Sequence, residues 1–167
     1  MKIKLLFLLC FCSVFSAASM NLDMGKRSVK VSQQTDQITK VEIIVQEATP
    51  LIEFAASELA DYLNVVMGVR PEIRKSASGD VFSIYLGDGA ETRKAGIKTD
   101  DLPEEGFVIR RRGKQLFIAG LDSKKVNPAD NFYQMEFRRG TVSGVYSFLE
   151  RFTDARFYFP GEMGTLI

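Results

Sequence analysis

Three clusters in this sequence have residue types that do chemistry in other settings. The first is YLGDGAETRKAG at residues 85 to 96, where Gly87-Asp88-Gly89 follows a strand-like run and precedes helix-forming residues. That is the opening of a dinucleotide fingerprint, in which glycines let the backbone approach a pyrophosphate. Thr92 stands where the third glycine belongs, and only about two helical turns fit before Gly96, too few for a crossover between parallel strands. The segment therefore reads as a strand ending in a glycine turn. The second cluster, Arg110-Arg111-Arg112 with Lys114, would suit an anion if the charges shared a face. Strand alternation turns Arg110 and Arg112 one way and Arg111 the other, which favours a solvated hairpin. The third is the pair of acidic doublets Asp100-Asp101 and Glu104-Glu105, a source of general acid and base if they converged on one bond. They flank Leu102-Pro103 in a loop, and adjacent residues rarely meet at one substrate bond, so a solvated turn is the better reading.

The chain has no histidine, and its two cysteines, Cys10 and Cys12, sit near the N-terminus. Ser-His-Asp and Cys-His mechanisms and the usual zinc sites are thereby excluded from the rest of the chain. Chemistry would have to run on carboxylates, lysines, tyrosines or hydroxyls, and no residue is assigned a catalytic, cofactor-binding or metal-ligating role. No cofactor is expected. The aromatic residues are better candidates for contacts. LDSKKVNPADNFYQMEFRRG, residues 121 to 140, lacks clear periodicity over a length uncommon for a loop in a compact domain, which leans toward function. Within it Phe132, Tyr133 and Phe137 are candidates to touch a sugar or a neighbouring domain; the alternative is a partly disordered insertion. Phe157, Tyr158 and Phe159 read as core and domain interface rather than as a ligand platform, because only alternate residues of a strand face a common partner.

The elements that hold these residues begin after an export signal. Lys2 and Lys4 precede an apolar run from Leu5 to about Val14, and Ser16-Ala17-Ala18 offers a small-residue cleavage site, so residues 1–18 read as a secretory signal peptide. The run is too short to span a bilayer comfortably, so no stable membrane insertion is expected after cleavage, and the destination is secreted or periplasmic. Both cysteines leave with the signal. Losing Lys2 and Lys4 leaves 20 basic against 21 acidic residues, a net charge of −1, which carries no nucleic-acid footprint. Residues 19–37 are polar and read as a tether. Residues 38–167 are the size of one domain, long enough to bury a core.

Within that domain KVEIIVQ (40 to 46) alternates like a strand, with Val41, Ile43 and Val45 on one face and Ile44 on the other. A helix follows, with Thr49 as cap, Pro50 in its first turn and Gly68 at its end. Its apolar stripe is Ile52, Ala55, Ala56, Leu59, Leu63 and Val66. PEIRK (71 to 75) and FSIYLG (82 to 87) are further strands. EGFVIRRRGKQLFIAG is a hairpin turning at Gly113-Lys114. A last helix from about Thr141 to Thr153 carries Val142, Val145, Leu149 and Phe152 inward, and ARFYF closes as a strand. The predicted fold is α/β (α+β): a mixed sheet carrying two main helices on one face.

In that order and spacing, residues 38 to 167 resemble the N-terminal domain of the α-glucuronidases of glycoside hydrolase family 67, and also look like the second domain of β-N-acetylhexosaminidases. The resemblance rests on Gly106-Phe107 with the hairpin that follows, and on Gly140-Thr141, Gly144-Val145-Tyr146, Phe148-Leu149-Glu150, Arg156-Phe157-Tyr158 and Pro160-Gly161. It implies an accessory α/β domain beside a (β/α)8 barrel that bears the catalytic carboxylates. Because the family's acid and base lie beyond the equivalent of Ile167, no catalytic residue is carried over, and the expectation is a non-catalytic domain truncated before its barrel. The aromatic residues at its C-terminal end are then expected to form an uncovered apolar patch and to favour self-association. A free-standing secreted module that binds glycan or protein is the alternative.

Overall fold

The computed structural model describes residues 40–126, 128, 138–153, 155–157 and, as backbone, 165–166. The signal peptide, the tether and the candidate contacts Phe132, Tyr133, Phe137, Tyr158 and Phe159 lie outside the described residues.

The elements follow in the order β1 (Val41–Val45), α1 (Pro50–Met67), β2 (Glu72–Arg74), β3 (Phe82–Leu86), α2 (Ala90–Lys94), a 3-10 turn (Thr99–Asp101), β4 (Phe107–Arg112), β5 (Gln115–Gly120), α3 (Gly140–Phe152), β6 (Arg156–Phe157) and β7 (Thr165–Leu166). Five strands form one sheet in the order β2-β1-β3-β5-β4. β1 runs parallel to β2 and β3, and β3 parallel to β5, while β4 returns antiparallel to β5. The sheet is thus mixed, as the element order predicts. β6 and β7 pair in a separate two-stranded ribbon.

Strands flanked by parallel neighbours are covered on both faces and read as continuous apolar runs. That is why every residue of β1 and of β3 is buried. Register places Ile43, Ile84 and Leu116 on one face and Ile44, Tyr85 and Phe117 on the other. On the first face lie α1 and α3, which pack against each other as well as against the sheet. Thr49 caps α1 through its hydroxyl, which accepts from Ile52 N–H at 3.3 Å. Leu51, Ile52, Ala55, Ala56, Leu59, Ala60 and Leu63 form the buried side of α1. The stripe is wider than a single seam because α1 meets both a sheet and a helix. For the same reason α3 buries Phe148 beside Val142, Val145 and Leu149, and leaves Phe152 half-buried at the edge. On the opposite face Ile44, Tyr85, Phe117 and Ala119 pack with Ala95 and Ile97 from the segment after α2, and Tyr85 stacks on Phe117 at 5.0 Å. Each large side chain so enclosed contributes about 1.5–3 kcal/mol.

The arginine triplet divides as alternation requires. Arg110 donates to Ala95 O at 3.0 Å on one side of the sheet, while the Arg111 guanidinium lies 5.6 Å from the Phe82 ring centre on the other.

Candidate functional site

The carboxyl ends of β1, β3 and β5 lie side by side, and the chain leaves them in opposite directions. From β1 it crosses through α1 to β2; from β3 it passes to the far side, toward β4 and β5. In open α/β sheets such a change of direction leaves a crevice outside the strand ends. Here it is a cleft of about 90 Å³ whose polar lining includes Glu47, Asp88, Asp100, Asp122 and Lys124.

Two of these carboxylates are engaged by one cation. Arg93 reaches Glu47 at 2.8 Å and Asp88 at 2.6 Å. The hydrogen bond with Glu47, followed by the charge of Asp88, holds its guanidinium pKa above the ordinary value. Beside them Gln46 Oε1 accepts from Glu91 N–H at 2.9 Å, at the start of α2. This settles the glycine pair. A Cβ at Gly89 would stand 2.6 Å from Gln46 Oε1, and Gly87 sits at φ +71° with Ile52 Cδ1 only 2.7 Å from where its Cβ would be. The glycines serve a turn and two close contacts, and α2 is a five-residue helix whose first turn is already bonded by a side chain.

Asp122 has a different setting. It follows β5 and serves α3, which has no capping side chain of its own at Arg139. Thr141 N–H donates to Asp122 Oδ1 at 2.9 Å, the Thr141 hydroxyl donates to Oδ2, and Gly120 N–H donates to Thr141 Oγ1 at 2.9 Å. Strand and helix can meet this closely only because of glycine: a Cβ on Gly120 would fall 2.3 Å from the Gly140 carbonyl carbon, and one on Gly140 would fall 2.5 Å from Gly106 O. Burial pushes the Asp122 carboxyl up to about 6; the two bonds from Thr141 pull it down, and the charge of Glu105 lifts it again. Next to this corner the chain pairs with itself, Ser123 N–H donating to Arg138 O at 2.8 Å and Arg138 N–H to Ser123 Oγ at 3.0 Å. Of the acidic doublets, Glu104 lies 3.6 Å from Arg138, and Glu105 3.6 Å from Arg139. All four doublet carboxylates belong to exposed residues, as a solvated turn requires.

A larger, mostly apolar cavity of about 240 Å³ lies between α1 and α3, with Leu51, Phe54, Val142, Arg139 and Tyr146 in its wall. Tyr146 donates its hydroxyl to Glu58 at 2.6 Å, and burial together with that carboxylate raises its pKa. Phe157, from the closing strand, sits edge-on to Tyr62 at 5.0 Å and to Tyr146 at 4.9 Å. It is half-buried against the two helices of its own domain. Of the six aromatic contacts read from the sequence, this is the one the described residues include.

Sequence reasoning missed Glu42, which is 1% exposed. Its carboxylate accepts from Ser78 N–H at 3.0 Å, from Ser78 Oγ at 2.7 Å and from Ser83 Oγ at 2.8 Å. Burial alone would raise its pKa, but these donors and the charge of Arg74 outweigh it and leave the carboxyl below its ordinary value. An acidic residue inside an apolar strand was the available signal. Among the described residues no group of three or more His, Cys, Asp or Glu is placed to hold a metal ion, and no helix is long and apolar enough to cross a membrane.

Compared with known proteins, the chain matches the family model for the glycosyl hydrolase family 67 N-terminus over residues 26–126. The match takes in the five-stranded sheet, α1, and the Gly106-Phe107 hairpin, and it begins inside the stretch read as a tether. No curated protein matches the chain.

Proposed function

This chain belongs to the family of glycosyl hydrolase family 67 N-terminal domains, and from that premise we propose that it is the non-catalytic accessory domain of a secreted α-glucuronidase-like glycoside hydrolase, acting in the breakdown of xylan-type polysaccharide. Its partner is a catalytic (β/α)8 barrel, which supplies the acid and the base. The observation that carries this reading is how the carboxylates are employed. Glycoside hydrolysis asks two carboxyl groups to face one bond from about 5 to 9.5 Å apart. Here Glu42 is held by Ser78 and Ser83, Glu47 and Asp88 by Arg93, Asp122 by Thr141, and Glu58 by Tyr146. Carboxylates committed in this way orient the chain rather than a substrate.

Export is supported by Lys2, Lys4 and the apolar run behind them. We assign glycan or domain contacts to Phe132, Tyr133 and Phe137, and barrel contact or self-association to the aromatic residues at 157 to 159. Phe157 has its ring against Tyr62 on α1 and Tyr146 on α3. The test is turnover: the purified chain should hydrolyse neither glucuronosyl nor N-acetylhexosaminyl substrates above background. Activity that survives purification and disappears on substitution of one carboxylate in residues 38 to 167 would overturn the accessory role.

A further inference from the structure

We propose that the outer edge of β2 is a pairing surface for a second copy of this chain: two β2 strands meet antiparallel across a twofold axis at Ile73 and join two five-stranded sheets into one. β2 is the last strand on its side of the sheet, with β1 as its neighbour, and Glu72, Ile73 and Arg74 are all exposed. An open edge is a template for strand addition, which proteins commonly blunt with charge or proline.

The ladder shows which backbone groups this edge presents. Phe82 N–H donates to Lys40 O at 3.3 Å, so Lys40 turns its peptide groups toward β3. Successive residues of a strand alternate in this respect, and Ile43 therefore faces β2. There the parallel register of Ile43 with Ile73 bonds it to Glu72 and Arg74. The N–H and C=O of Ile73 are left directed outward.

Around that residue the charges are self-complementary. An antiparallel partner centred on Ile73 sets Glu72 of each copy opposite Arg74 of the other, while the two Ile73 residues exchange a pair of N–H···O=C bonds. The ion pairs then take the closely spaced positions of the ladder, where side chains directly opposite interact. A slide of two residues either way would set Glu72 against Glu72 or Arg74 against Arg74. The charges that blunt this edge for other strands thus select its own copy. Within one chain Arg74 Nε already donates to Glu72 at 2.9 Å, so the two side chains share a face.

The opposite face of the edge is apolar. Ile73 stands in register with Ile43, on the side that α1 covers, yet it is 45% exposed. Among the described residues the exposed large hydrophobics are Val65, Val69 and Ile73, which lie near the end of α1, after it, and on β2. Pairing sets Ile73 against its copy and withdraws it from water. With only three residues in β2, the contact is short and the dimer forms as concentration rises.

Sedimentation equilibrium of the purified chain over a concentration series is the test. The wild type should dimerise, and Glu72→Arg or Arg74→Glu alone should weaken the dimer about tenfold or more, because each sets like charges opposite one another at two places. An equimolar mixture of the two variants should dimerise again, since their edges complement each other and not themselves. A wild type that stays monomeric throughout, a mixture that does, or a dimer indifferent to both reversals, as association through residues 157 to 159 would be, overturns the proposal. Arg74 lies 3.8 Å from the buried Glu42, so Arg74→Glu sets two carboxylates together. If that chain fails to fold, Ile73→Pro takes its place: it removes the outward N–H and leaves the bonds to β1 intact. It too should be monomeric, and a dimer that survives it would refute the pairing.

Discussion

Two carboxylates inside this domain face the same physical problem and resolve it with opposite signs. Glu42 on β1 is buried and Asp122 after β5 half-buried, and burial pushes both toward the neutral form. Glu42 meets donors from two residues, Ser78 and Ser83, with Arg74 behind them at 3.8 Å. Asp122 meets donors from Thr141 alone, with the like charge of Glu105 nearby. The first carboxyl falls below its ordinary value and the second rises to about 6. Burial alone does not decide a titration; the number of donors and the sign of the nearest charge do. Each group pins a distant segment to the sheet, Glu42 the 75–80 turn and Asp122 the start of α3.

The largest expected effect is steric and separates the two attachments. Gly120→Ala would place a methyl 2.3 Å from backbone at the Asp122 corner. Neither partner there is the end of a flexible side chain, so a loss of about 4 kcal/mol or outright failure to fold is expected in denaturant unfolding. Gly79→Ala, in the turn held by Glu42, meets nothing within 4 Å and bears only the strain of φ +109°. It should cost about 1–2 kcal/mol.

Next in size is loss of the carboxylate on β1. Glu42→Ala takes the shared acceptor from two serine hydroxyls and a backbone N–H, although Ser83 Oγ keeps Val81 O and the exposed Ser78 can turn to solvent, so a loss of about 2 kcal/mol at pH 7 is expected in the same assay. With its folded pKa depressed, Glu42 stabilises above its unfolded value and loses that contribution as pH falls through the folded one, so the gap between wild type and Glu42→Ala should shrink below about pH 4. A gap that widened in acid would contradict the lowered Glu42 carboxyl.

The smallest effect belongs to a third carboxylate, Glu58 on α1. Tyr146→Phe removes the bond to Glu58 and keeps the ring against Phe157. A cost of about 1 kcal/mol is expected from thermal unfolding, and a much larger one would place Glu58 beside Glu42 in structural weight.

The sequence exposes those features whose cause is local. The cap at Thr49, the stop at Gly68, the alternation that splits Arg110 from Arg111 and the turn at Gly113 each depend on residues a few positions apart, and each stands where the pattern places it. What distance along the chain decides is not visible there. β1 lies between β2 and β3 because residues 75 to 81 carry the chain from β2 across it to β3, an order that no strand's own residues state. The β6–β7 ribbon pairs strands of two residues each, too short to show a period, so β7 went unread. Glu42 finds Ser78 thirty-six residues away and Asp122 finds Thr141 nineteen away, so one reads as an oddity in a strand and the other as part of an irregular loop. Gly140 was legible as a motif residue; that it touches Gly120, at the end of the hairpin, was not.

The most direct measurement asks for the partner itself. If this domain serves a family 67 catalytic barrel, then mixing the folded chain with such a barrel stripped of its own N-terminal domain should yield a new, heavier species containing both in sedimentation velocity. An accessory role predicts that species, and predicts that glucuronosyl hydrolysis in the mixture stays with the barrel. Two components that sediment independently, with turnover residing in this chain, would contradict it.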